Sequence, residues 1–422
     1  MYQKAIEPVQ SLQLHGDDVT VINRYDFKTL DHLRCFWSVV SAGEPRGPET
    51  EVAIPLGIKP HTEAQLHITG LPKEFRAESY LNLRFTLKEE TAWAKAGHQI
   101  AWGQLALSEP SHTAIPKPAP QSEAKAKIEQ SSPTMLTITS ASGASTWGID
   151  LVRGVLVSWV REKTELMAQP LVMDLWRATI EPDRRSHGVQ WLQRRVDQTR
   201  YTTRKVEWSE RDGEVTIRTE GRVAPPVQAW GIALTTEYIV RQDTMTIKVR
   251  GQPGGPNLPD TLPRIGLSGA FNGVNGAKWW GRGPGESYAD KKVNQAFGNW
   301  ESTIDDLWVE YEEPQESGNR TDVRYVEFLG DVTGGQASSL PLFKVNFGVQ
   351  PGCSFAASHY TATDVAQARH PYELRKKKRE ETFIRLDWAH QGTGSGLIET
   401  GTVEEKYKLI ASNPFEFELE LN

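Results

Sequence analysis

Fifty-four acidic side chains give the chain many possible carboxylate pairs. A glycosidase needs two of them roughly 5–5.5 Å apart for retention or about 6.5–9.5 Å for inversion, and sequence spacing alone selects no pair. Gly281-Arg282-Gly283-Pro284-Gly285-Glu286 has the density of glycine that cradles phosphate. A dinucleotide fingerprint, however, requires glycine at the sixth position and a helix after it. Glu286 stands there instead, and Ser287-Tyr288-Ala289-Asp290 offers no amphipathic helix, so a turn between strands is expected. Gly392-Thr393-Gly394-Ser395-Gly396 lacks the lysine of a phosphate loop and reads as a surface loop. The ten histidines include no pair at metal-binding helical spacing, and His98 and His370 read as structural hydrogen-bonders. No Gly-x-Ser-x-Gly elbow is present. Cys35 and Cys353 are too few for a disulfide framework or a structural zinc site, and reduced core thiols are expected. Trp280, Trp300, Trp308 and Trp388, among 14 tryptophans, offer flat apolar faces to a sugar ring or to the core.

Positioning falls to strands. Leu81, Leu83, Phe85 and Leu87 alternate with polar residues, as do Met245, Ile247 and Val249, the period of a half-buried strand. Phe415, Phe417, Leu419 and Leu421 interleave with Glu416, Glu418 and Glu420, a strand with one apolar and one acidic face. Val19–Ile22, Val215–Arg218 and Phe383–Leu386 read similarly, while long helical patterns are scarce. With 35 glycines and 25 prolines at turn spacing, the class is all-β, of the sandwich type. A Pro, Ala, Lys, Glu and Ser-rich stretch over 111–133 reads as a linker, leaving an immunoglobulin-sized domain at 1–110 and a large sandwich at 134–422.

Charge is nearly balanced, 48 basic against 54 acidic residues, which argues against a polybasic nucleic-acid binder. The basic run Arg375-Lys376-Lys377-Lys378-Arg379 is flanked by Glu373 and Glu380-Glu381 and reads as a solvated loop. No apolar stretch approaches eighteen residues and the first residues lack an apolar core, so neither a membrane span nor a signal peptide is expected. The expectation is a cytoplasmic protein in which the Asn319-Arg320-Thr321 sequon stays unmodified.

Several runs together resemble glycoside hydrolase family two β-galactosidases. Trp280-Gly281-Arg282-Gly283-Pro284-Gly285-Glu286-Ser287-Tyr288-Ala289-Asp290-Lys291 is similar to the "GxGPxExYxDR" run of that family's last domain. Tyr311-Glu312-Glu313-Pro314-Gln315-Glu316-Ser317-Gly318-Asn319-Arg320 resembles its "YxxPQExGxR" run. Leu262-Pro263-Arg264-Ile265-Gly266 and His370-Pro371-Tyr372-Glu373-Leu374 fit the same domain in order. Val21–Phe27, Leu30–Leu33 and Ala96–Trp102 resemble the immunoglobulin-like domain before it.

The resemblance implies an immunoglobulin-like sandwich followed by a large galactose-mutarotase-like β-supersandwich. It implies a non-catalytic C-terminal portion or subunit of an enzyme that hydrolyses terminal β-D-galactosides such as lactose. The two catalytic glutamates, and the magnesium and sodium sites, belong in that family to earlier domains, so no catalytic or metal residue is assigned in this chain. The partner it implies is a catalytic barrel domain or subunit, with possible oligomer contacts. A loop patterned "RAPxDND" at the active-site mouth matches Arg177-Ala178-Thr179-Ile180-Glu181-Pro182-Asp183, placing Arg177 and Asp183 at that mouth, with Pro182 stiffening the segment. A Trp or Cys that closes over the second sugar falls by register at Ile398 or Glu399, so a stacking platform is expected to be missing. Two alternatives stay open: a free-standing carbohydrate-binding sandwich, and a mutarotase-like epimerase using His370 with Glu373 or Glu286.

Overall fold

The computed structural model describes the chain except residues 1, 76, 109–124, 331–339, 349, 351 and 395–402. It forms two compact units, Met1–His112 with Val293–Asn299, and Thr113–Lys292 with Trp300–Asn422. The fold is all-β, and among the described residues the longest helix is the seven-residue His187–Gln193.

In the first unit a three-stranded sheet (Val9–His15, Asp18–Asn23, Glu63–His67) faces a five-stranded one built on Leu33–Ser41, Ser79–Leu87 and Gln99–Ser108. Period-two alternation sends Val19, Val21 and Leu66 from one sheet, and Cys35, Leu81, Leu83 and Phe85 from the other, into a shared core. The segment 293–299, expected in the large sandwich, groups instead with this unit. There Phe297 stacks on Tyr80 with centroids 4.7 Å apart, and Gln104 bonds both the N–H and the C=O of Phe297 at 2.8 Å.

The second unit is a sandwich of ten-stranded and nine-stranded antiparallel sheets. The ten-stranded sheet contributes Trp147, Trp159, Leu171, Leu267, Phe355 and Leu386 to the core; the nine-stranded sheet contributes Ile217, Val240, Ile247, Trp279, Phe328, Phe343 and Phe417. Much of the tryptophan excess lies here, since Trp147, Trp159, Trp191, Trp230 and Trp279 are fully buried. Lys127–Ser132, inside the expected linker, is instead an edge strand paired with Met135–Thr139. Its mostly exposed Lys-Ile-Glu-Gln-Ser-Ser sequence lacks the alternation that signals a strand, because an edge strand with both faces wet has no core face to encode.

Cys35 and Cys353 are buried free thiols, and burial pushes each up to about 12, far from thiolate chemistry at neutral pH.

Candidate functional site

Residues of the runs 177–183, 262–266, 280–291 and 311–320 come together within the second unit, whereas His370 of the run 370–374 lies on its surface. Strand Val274–Gly283 ends at Gly283, where a Cβ would sit 2.5 Å from the Trp300 indole, so only glycine lets the chain pass. The chain then turns, as expected, and Glu286 accepts from the Tyr311 hydroxyl and, at 3.0 Å, from the Gly318 N–H. Ser287 and Asn319 exchange backbone and side-chain bonds at 2.8 Å, and the Thr321 N–H donates to Ser287 Oγ at 3.0 Å. Asn319 is fully buried in this clasp. Arg320 donates to the carbonyls of Leu307 (2.9 Å) and Gly318 (2.7 Å), and burial pulls its pKa down to about 10 against the charge of Glu286.

Beneath the clasp lies a buried ionic junction. Arg385 makes a bidentate pair with Glu316, whose side chain is 3% exposed. Burial alone would raise the Glu316 carboxyl, but the charge and hydrogen bonds of Arg385, with His390 and Arg177 nearby, hold it below the ordinary range. His390 Nδ1 lies 2.8 Å from the Gln391 carbonyl, which can only accept, so Nδ1 carries the proton. His390 Nε2 is left without a hydrogen-bond partner, 3.9 Å from Glu316. Burial and the charge of Arg177 push this imidazole down to about 3, so it is neutral at pH 7. Tyr288 packs edge-on to His390 at 5.1 Å, and burial beside Glu316 raises its phenol well above the usual value.

Two loops hang on this junction. In the first, Arg177 is fully buried and pairs with Asp183 at 2.6 Å, and Asp183 also accepts from the Ile180 N–H at 2.9 Å. Pro182 opens the short 3-10 turn Pro182–Arg185, whose neighbour Glu181 bonds Gln315 while Arg184 pairs with Glu313. Arg177 and Asp183, expected at a substrate mouth, are thus brought together but face inward, because each is the other's counter-charge. The residues this loop presents outward are Glu181, Arg184 and Arg185. In the second loop Asp290 accepts from the N–H groups of Thr393 (2.9 Å) and Gly394 (3.0 Å). Glu399 and Ile398, the other expected mouth positions, lie outside the described residues.

Strand alternation explains where the junction sits. Leu171, Leu267, Leu386 and Phe355 point into the core, so Val172, Ser268, Arg385 and Ala356, paired in register across four neighbouring strands, point to the opposite face of the ten-stranded sheet. The same face carries Arg264, which bonds Asp387 and Asp174. Burial raises Asp387 against the pull of Arg264 and Arg385. Beside the junction this face opens into a cleft of about 410 Å³ lined by Trp176, Trp308, Tyr360, Phe383, Ser268 and Arg385, among others.

Arg385, Asp387 and His390 stand in none of the family-like runs, whereas Arg264, Tyr288 and Asp290 stand in them with no role that the sequence alone assigns. For Arg385 and Asp387 the signal is a charged residue repeating on one parity of an otherwise apolar strand, beside Ile384 and Leu386. His370 precedes the short helix Pro371–Arg375 and reaches Glu373 at 3.3 Å on the surface, while Glu286 is held by Tyr311 and Gly318. No histidine lines the cleft among the described residues. The basic run that follows is paired outward, Arg375 to Glu310 and Lys378 to Asp305. Among the described residues no three His, Cys, Asp or Glu side chains gather as a metal set.

Comparison with known proteins places this architecture. Residues 141–421 match the family model described as β-galactosidase small chain. The chain belongs to that family. Residues 19–108 match the model of β-galactosidase domain 4, and the two models together describe the C-terminal part of a β-galactosidase. The β-galactosidase of Kluyveromyces lactis is 26% identical over 430 residues, covering all of this chain and 38% of that enzyme. That of Arthrobacter sp. is 28% identical over 352 residues, covering 75% of this chain and 31% of the relative. The chain therefore spans about a third of the length of these β-galactosidases. Among solved structures, a galactose mutarotase related enzyme from Lactobacillus acidophilus aligns over 70% of this chain and 96% of its own at 9% identity, with a TM-score of 0.35.

Proposed function

We propose that this chain is the non-catalytic C-terminal portion of a cytoplasmic, retaining β-galactosidase acting on terminal β-D-galactosides such as lactose. The observation that carries the reading is how the acids of the family runs are used. Glu286, Asp290, Glu316 and Asp183 are each committed to holding a loop or a buried arginine. A catalytic acid pair must face substrate with a freely exchangeable proton, whereas these four are braces. Their product is a rigid seat for the loops 177–185 and 392–394, which would edge the substrate mouth once a catalytic barrel, as domain or subunit, docks beside them. Magnesium and sodium would then be bound by that barrel portion. Oligomer contacts would come from the same sandwich.

The test is hydrolysis of nitrophenyl β-D-galactoside by the pure chain, alone and mixed with a polypeptide carrying the barrel portion of a relative. No turnover alone and turnover on mixing is the expected result. Turnover by the chain alone, abolished by changing an acid within it, would overturn the reading.

A further inference from the structure

We infer that one end of the first unit is the docking surface for the catalytic portion of the enzyme, be it a domain of the same polypeptide or a separate subunit. This rests on the galactosidase reading and adds the place where the partner sits. Three loops meet at that end, 24–32, 53–62 and 88–98. Hydrogen bonds tie them into one body. Asn23 Nδ2 donates to the carbonyls of Lys28 (2.8 Å) and Ile58 (3.0 Å), Asp31 accepts from the Gly57 N–H at 2.8 Å, and Lys88 Nζ donates to the Asp31 carbonyl at 2.7 Å.

Each loop carries one large apolar side chain turned to water. Phe27 is 95% exposed, Leu56 83% and Trp93 67%. Single exposed apolar residues are ordinary on a surface. One on each of three loops bonded to one another is not, and such a cluster marks an interaction site. Aromatic side chains are enriched at protein interfaces, and loops already fixed by their own hydrogen bonds lose little freedom on binding.

Two observations choose the occupant. Over the three loops five basic side chains stand against four acidic ones. An anionic bilayer or a nucleic acid selects a basic cluster, whereas a mixed polar rim around an apolar centre is the anatomy of a protein interface. The second observation is the path of residues 2–8. Val9 lies opposite Asn23, the Arg24 N–H donates to the Pro8 carbonyl at 2.8 Å, and Lys4 sits 4.0 Å over the ring of Trp102, near the start of the strand Gln99–Ser108. This run therefore follows the same end, and Ile6 within it is 76% exposed. In the β-galactosidases the chain resembles, the matched segment is the C-terminal part. The portion before it joins at this end, beside the three tips, and a second copy of the chain has no such tie.

The test is binding of the pure chain to a polypeptide carrying the part of the Kluyveromyces lactis β-galactosidase that precedes its matched segment. Calorimetry gives the affinity, and hydrogen exchange of the unaltered chain, with and without that polypeptide, gives the footprint. Saturable binding is expected, with exchange slowed over 25–28, 56–59 and 91–95. Phe27→Ser combined with Trp93→Ser should weaken binding at least about tenfold. Val227→Ser, at an 86% exposed position of the second unit, should leave it unchanged. Undiminished binding by the double variant, or protection absent from the three loops, would overturn the docking surface and leave the galactosidase reading standing. No binding by the unaltered chain would overturn both. Sedimentation of the chain alone separates the other occupant: a dimer that the same double change dissolves would give this end to a second copy and overturn the proposal. Because the footprint is read on the unaltered chain, the outcome is decisive even where a variant fails to fold.

Discussion

The large sandwich carries ion pairs on both of its outer faces, and the two sets differ in what surrounds them. On the nine-stranded sheet Lys248 stands opposite Glu418 at 3.2 Å and Arg250 opposite Glu416 at 3.0 Å, in direct cross-strand register. These side chains are 29–58% exposed. On the ten-stranded sheet Arg264 and Asp387 are both fully buried, and Glu316 and Arg385 are 3% and 15% exposed. Outer sheet faces ordinarily meet water, so charges there cost little to place and contribute little. Covering one such face with loops turns the same residue types into obligatory partners, since a buried charge that loses its counter-ion has no water to turn to. One face is thereby a solubility surface and the other a machined seat for loops.

The comparison is broken most directly at Glu316. Replacing it by Gln keeps the shape but leaves Arg385 a buried cation, and removal of one partner of a buried pair costs about 3–5 kcal/mol. Urea unfolding should show a loss of that size for Glu316→Gln. The double variant Glu316→Leu with Arg385→Met should recover much of it, because no unpaired charge remains. A loss below about 1 kcal/mol for the single variant would mean water reaches the junction and the contrast between faces is false.

Acid should find the same face first. His390 is neutral in the folded chain down to about 3, held so by burial with Arg177 and Arg385 near it and Glu316 opposing. Unfolded, it protonates near pH 6.5, so the unfolded state binds the extra proton between those values. Stability is therefore full above about pH 6.5 and falls as pH drops toward 3, by at most ~1.4 kcal/mol per unit from this group. The lowered carboxyl of Glu316 adds a loss only below about pH 4. His390→Gln should flatten the slope of the urea midpoint between pH 6.5 and 5. An unchanged slope would remove His390 from the junction's electrostatics.

The two faces are also unequally legible in the sequence. The strands with one apolar face are plain: the alternations at Leu81–Leu87, Met245–Val249 and Phe415–Leu421 lie in the strands Ser79–Leu87, Thr244–Gly254 and Phe415–Leu421. The acidic stripe of Glu416, Glu418 and Glu420 is visible too. Its neutralisation by Lys248 and Arg250 is not, since register between strands some 170 residues apart is a tertiary fact. Glu316, Glu286 and Asp290 stand in runs that resemblance singles out, but their roles depend on partners up to a hundred residues away, such as Thr393 for Asp290. Arg177 and Asp183 emerge together from one motif, yet their spacing does not show that they face each other. The edge strand Lys127–Ser132 and the segment 293–299 carry no periodic signal at all, because neither owns a core face of its own.

Two smaller effects sharpen the contrast. Asp290 holds Thr393 and Gly394 through two backbone N–H bonds, and a Cβ on Gly392 would stand 2.7 Å from its carboxylate. Asp290→Ala frees both donors at a cost of about 1–3 kcal/mol. It should speed hydrogen exchange of the Thr393 and Gly394 amides while leaving those of the core strands unchanged. Exchange that stays slow would show that the loop is seated by something other than this carboxylate. On the wet face Lys248→Ala removes a cross-strand charge partner that water readily replaces, and the expected loss is below about 1 kcal/mol and shrinks further in high salt. A loss as large as that of Glu316→Gln would place a partner or a covering segment over the nine-stranded face, since only exclusion of water gives a surface ion pair such weight.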